Sequence, residues 1–90
     1  MALDINTGKA LATVLCSNTT LTHLSLSNNF FDSEVGKEFA KALFNNSTLT
    51  FLNLSENRFC LEVGKSFAEA LYKNATLTHL YFWNNRLGTE

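Results

Sequence analysis

Ninety residues with 46% apolar side chains, including eight Phe, supply the core of one small domain and no more. Seven basic and eight acidic side chains leave a net charge of −1, with no basic stripe to follow a phosphate backbone and no stretch of membrane-span length, which excludes nucleic acid and membrane as expected partners. Charged residues are only 17%, so part of the surface is expected to be covered by more protein.

In chain order, residues 1–19 carry the second half of a 28-residue unit, residues 20–47 and 48–75 each carry a whole one, and residues 76–90 carry the first half of another. The frames Leu21-Leu24-Leu26-Asn29, Leu49-Leu52-Leu54-Asn57 and Leu77-Leu80-Phe82-Asn85 recur at a spacing of 28. A repeat of that period means an array in which each unit buries its apolar face against a neighbour.

The first element is a helix through Gly8, Leu11, Ala12 and Leu15, with Asn6 or Thr7 as its expected cap. A strand around Leu24 follows, read from apolar side chains at period two. Val35, Phe39, Ala40 and Leu43 share one face of the second helix, capped by Asp32 or Ser33; Lys37, Glu38 and Lys41 lie opposite. After a strand around Leu52, the third helix buries Val63, Phe67, Ala68 and Leu71, and its start offers only Cys60 and Leu61 as caps. Glu69 is placed to pair with Lys65 and Lys73 at i±4. Glu34 and Glu62 suit helix starts, and Lys41 and Lys73 suit helix ends. Gly36 and Gly64 are expected to let their helices approach the strand layer. The last strand runs around Leu80, and Leu87-Gly88-Thr89-Glu90 reads as the opening of another loop.

Asn29, Asn57 and Asn85 each follow a strand where the chain turns inward. A primary amide offers donors and an acceptor together, so stacked asparagines satisfy that turn where Asp or Leu would not. Five Asn-x-Ser/Thr triplets start at Asn18, Asn45, Asn46, Asn53 and Asn74. Three of these share one repeat position just past a helix end, so a left-handed capping role is preferred over glycosylation. Cys16 and Cys60 are out of phase with the repeat and read as free thiols in a reducing compartment. With no signal segment at the N-terminus, a cytoplasmic protein is expected.

The whole pattern resembles the leucine-rich repeat in its long, 28-residue ribonuclease-inhibitor-like form, known also from NOD-like receptors, Ran GTPase-activating proteins and effectors of intracellular bacteria. The resemblance implies an α/β solenoid, a short right-handed β–α arc with parallel inner strands and outer helices. The right-handed crossover rule supports parallel strands independently. For an effector, the host cytosol becomes the implied location.

The resemblance also places the side chains between the leucines on the concave face, in three columns: His23, Phe51, His79; Ser25, Asn53, Tyr81; and Ser27, Ser55, Trp83. From these, His23, Phe51, Asn53, His79, Tyr81 and Trp83 are the candidate contacts for a protein partner, because grouped exposed aromatics anchor interfaces. Packing against a further repeat is the competing explanation for the same aromatics.

No nucleophile triad, carboxylate pair or phosphate-cradling loop occurs, so a non-catalytic chain without cofactor is expected. His23 and His79 lie two strands apart with Phe51 between, too far for a shared metal. Arg58 and Arg86 follow the ladder asparagines, and a GTPase-activating accessory role is the remote alternative. Leu77, Leu80 and Phe82 are expected to leave an open apolar edge, so the alternatives are a fragment of a longer receptor or effector, or a homodimer in which two copies cover each other's ends.

Overall fold

In a computed structural model the structure describes residues 3–82 and Asn85. Helix α1 (Ile5–Ser17) precedes strand β1 (His23–Ser25), and the pattern repeats as α2 (Ser33–Asn45), β2 (Phe51–Asn53), α3 (Leu61–Lys73) and β3 (His79–Tyr81). The strands lie in the order β1-β2-β3, all parallel, with Leu24 opposite Leu52 and Leu52 opposite Leu80. The register is one whole repeat, so equivalent residues become neighbours. Backbone bonds continue the ladder past the strand ends, with Leu26 N donating to Asn53 O at 2.8 Å and Leu54 N to Tyr81 O at 2.8 Å. The architecture is an open α/β arc with the helices along one side of the sheet.

The core fills the space between the sheet and the helices. Phe31, Phe39, Phe59, Leu43, Leu49, Leu52 and Leu54 are fully buried there. In the outer strands Leu24 and Leu80 are only half-buried, because each is covered on one side alone. The third helix differs from the second in the same way. Ala40 and Leu43 of α2 are buried, whereas the equivalent Ala68 and Leu71 of α3 are exposed, contrary to expectation. Period alone assigns a face; only a neighbour buries it.

Helix α1 begins earlier than the caps expected from sequence. Asp4, not Asn6 or Thr7, is its N-cap, accepting from Thr7 N at 2.7 Å. Asp32 caps α2 through Val35 N at 3.2 Å, and α3 has no side-chain cap. Instead Cys60 N donates to Ser33 Oγ at 3.2 Å, tying the start of α3 to α2.

Two further expectations are corrected by packing between repeats. A Cβ added at Gly36 would lie 2.7 Å from Val63 Cγ1 and 2.9 Å from Phe59 Cδ1, so this glycine admits the next coil and not the strand layer. Gly8 does the same for Phe31 and Val35. Among the described residues Glu69 makes no ion pair; the bridges run across helices, from Lys9 to Glu34 and from Lys37 to Glu62 at 3.2 Å, besides Lys41 with Glu38 at 3.8 Å. Lys73 lies over the Phe44 ring at 4.4 Å. Lys41 falls short of the last turn of α2, while Lys73 stands in that of α3.

Candidate protein-binding face

The side chains on the far side of the sheet from the helices form the candidate site. His23 stacks on Phe51 with ring centroids 5.4 Å apart and planes at 18°. Phe51 continues to His79 at 6.2 Å, and Tyr81 meets the Phe51 ring edge-on at 5.3 Å. Parallel pairing in register causes the column of His23, Phe51 and His79, since these three rings share one repeat position, while Tyr81 stands in the next column opposite Asn53. His23 and His79 are exposed, Phe51 is half-buried and Tyr81 is 41% exposed. Asn53 sits beside them, its Oδ1 accepting from Ser55 N at 3.0 Å and its Nδ2 free among the described residues.

The third column does not line an open surface as the alternation implies. Ser55 is fully buried and Ser27 half-buried, because the strands end at Ser25 and Asn53 and the chain has already begun to turn inward. Trp83, the last of the candidate contacts, lies outside the described residues, as do Arg86 and the closing Leu87-Gly88-Thr89-Glu90. His23 and His79 bracket Phe51, and no group of three metal-ligating side chains occurs among the described residues. Arg58 is already engaged, its guanidinium 4.8 Å over the Phe30 ring.

Asparagine amides hold the turns on both flanks of the sheet. Asn57 Oδ1 accepts from Phe31 N at 2.9 Å and Asn29 N at 3.2 Å, and Nδ2 donates to Leu54 O at 3.1 Å and Leu26 O at 3.2 Å. Asn85 Nδ2 likewise reaches Phe82 O at 3.1 Å and Leu54 O at 3.2 Å, and Asn29 Nδ2 reaches Leu26 O at 2.9 Å.

A second set at the other flank was not expected from the sequence. Asn18, Asn46 and Asn74 have φ of −74°, −87° and −74°, so they are extended and not left-handed. Asn46 Oδ1 accepts from Leu49 N at 2.8 Å, while its Nδ2 donates to Leu15 O at 2.9 Å in the preceding repeat. Asn74 does the same with Leu77 N and Leu43 O. Their recurrence at period 28 was the signal; the carbonyl each would meet was not in it.

On the helix side, a groove of about 780 Å³ opens between α2 and α3, lined by Ala40, Lys41, Phe44, Ala70 and Tyr72 among others. Tyr72 is 95% exposed there. No helix among the described residues is long and apolar enough to cross a membrane.

The family model described as Leucine Rich repeat matches residues 17–39 and 45–59. A solved structure described as leiomodin-1 actin-binding site 2 is 30% identical, with a TM-score of 0.89 over 92% of this chain and 48% of its own. The chain thus spans about half the length of that structure. No curated protein matches it. Repeat spacing, strand order and these likenesses agree, and the chain folds as a leucine-rich repeat arc in which, among the described residues, three parallel strands alternate with three helices around an open sheet.

Proposed function

We propose that the chain is a protein-interaction module that binds a protein partner through the inner face of the sheet, with His23, Phe51, Asn53, His79, Tyr81 and Trp83 as its contacts. The observation carrying this reading is the unbroken run of rings from His23 through Phe51 to His79 and Tyr81, on a sheet face with no layer packed over it among the described residues. Rigid aromatics bury much area at low entropic cost, which is why they recur as interface anchors. Leucine-rich repeat domains are typically non-catalytic, which suits this role. The module works in the cytoplasm, or in a host cytosol if it is an effector.

The similar leiomodin-1 structure is described by an actin-binding site, so purified actin is the first partner to test, followed by capture from cytosol. Phe51→Ala and Tyr81→Ala are each expected to weaken binding by roughly tenfold or more, the range of an interface hot spot. Unchanged affinity in both variants removes the inner face from consideration.

Half-buried Leu77, Leu80 and Phe82 favour a second reading, self-association through the β3 edge. An unpaired edge with apolar side chains is a template for another chain.

A further inference from the structure

Position-by-position comparison of the three helices shows which side chains face a neighbouring coil. Ala12 and Leu15 of α1 and Ala40 and Leu43 of α2 are buried, whereas Ala68 and Leu71 of α3 are exposed. These two positions therefore face the following coil. Ala42 of α2 and Ala70 of α3 are buried, whereas Val14 of α1 is 58% exposed, so this position faces the preceding coil. The two ends of the arc are thus the two halves of the interface that already joins α1 to α2 and α2 to α3.

The hydrogen-bonding groups divide between the ends in the same way. Asn46 Nδ2 donates to Leu15 O at 2.9 Å and Asn18 O at 3.0 Å; Asn74 Nδ2 donates to Leu43 O and Asn46 O, each at 2.9 Å. Asn18 keeps its Oδ1 on Leu21 N at 2.7 Å, but its Nδ2 has no acceptor among the described residues. Leu71 O and Asn74 O, the next carbonyls of that series, receive no side-chain amide among the described residues. The threonines repeat the arrangement. Thr50 Oγ1 donates to Thr22 O at 3.1 Å and Thr78 Oγ1 to Thr50 O at 3.0 Å. That leaves Thr22 Oγ1 without a carbonyl and Thr78 O without a hydroxyl among the described residues. Charge does not oppose a match. Lys65 takes the repeat position of Lys9 and Lys37, and where those meet Glu34 and Glu62 the first helix offers uncharged Asn6.

We propose that copies of this chain stack head to tail, the α1–β1 end of one seated on the α3–β3 end of the next. This rests on the self-association reading above and names the surface that the β3 edge meets. Among the described residues α1 has no strand before it and β3 no helix after it, so the stack joins these two halves into one coil. Asn18 Nδ2 of one copy reaches Leu71 O and Asn74 O of the other, and Thr22 Oγ1 reaches Thr78 O. Such an interface is heterologous, and repeating it along a solenoid gives an open stack and not a closed pair.

Sedimentation of the full chain tests this. The mass of the parent chain should rise past two copies as concentration increases. Val14→Lys blocks one end and Ala68→Lys the other, both at exposed positions, and each should keep the circular dichroism of the parent. Each alone should associate roughly a hundredfold more weakly, because a lysine buried in the stack loses its water. Mixed in equal amounts, the two variants should pair one to one through their intact ends and grow no further. Asn18→Asp keeps the acceptor for Leu21 N and removes the donor, so it should weaken association roughly tenfold. If Val14→Lys associates like the parent and mixing adds nothing, β3 meets β3; the stack is overturned and self-association stands. Parent-like association of Asn18→Asp also overturns the stack. A parent chain that stays monomeric at every concentration removes both readings.

Discussion

At the scale of single residues, buried amides carry more of this fold than its ion pairs. Asn57 is 5% exposed and satisfies backbone groups from two coils at once. Its replacement by Ala orphans several of them, each costing about 1–3 kcal/mol. Asn57→Ala is therefore expected to destabilise by about 3 kcal/mol or more, read from the urea midpoint. The pairs Lys9–Glu34 and Lys37–Glu62 are exposed, and surface pairs contribute about 0–1 kcal/mol. Asp4 makes a pH-dependent contribution. Hydrogen bonds from the Thr7 backbone and hydroxyl hold its carboxyl below the ordinary 3.8. A carboxyl with a lowered folded value stabilises fully above its ordinary value and loses that effect as pH falls through the folded one. The stability gap between the parent chain and Asp4→Ala should thus be constant near neutrality and shrink in acid. The amide role of Asn57 was legible from its place after each strand. Asp4 was not legible as a cap, because Asn6 and Thr7 are equally good capping types and only the helix start distinguishes them.

Among the elements, the third helix is the one with an unmet need. Asp4 and Asp32 cap α1 and α2, while Cys60 makes no side-chain cap bond. Cys60→Asp is expected to stabilise by about 0.5–1 kcal/mol, measured by thermal melting. Glycine inside α2 points the other way. Gly36→Ala ought to gain about 1 kcal/mol from helix propensity alone. Here a Cβ meets Val63 and Phe59 below van der Waals distance, and overpacking costs about 1–3 kcal/mol. We expect Gly36→Ala to lower the melting temperature; a rise would mean the next coil yields. Helix existence and face were legible from period 3.6. The approach of Gly36 to the next coil was not, since that contact joins residues 27 apart and depends on how tightly two coils stack.

For the molecule as a whole, each coil is stabilised mainly by its neighbours, as a one-dimensional array requires. Leu52 is fully buried while Leu24 and Leu80 are half-buried, although all three occupy one repeat position. The β3 edge reading predicts a concentration-dependent dimer in light scattering that Phe82→Lys dissolves. A monomer at tens of micromolar removes it. The same edge explains why the inner face and the edge are separable: Tyr81 points away from the core that Phe82 joins, where it stacks on Phe59 at 5.4 Å.

By itself, the sequence determined the repeat, the order of elements, the parallel register and the inward run of leucines, because a period of 28 places like residues side by side. It also determined the ring column, since His23, Phe51 and His79 share one position. Only the tertiary structure decided what each polar group meets. The burial of Ser55, the second asparagine set reaching Leu15 O and Leu43 O, and the bridging of lysines across helices all depend on distances between coils. Periodicity specifies which face a side chain takes, whereas the separation of neighbouring coils, set by packing volume, specifies which atoms come within bonding reach.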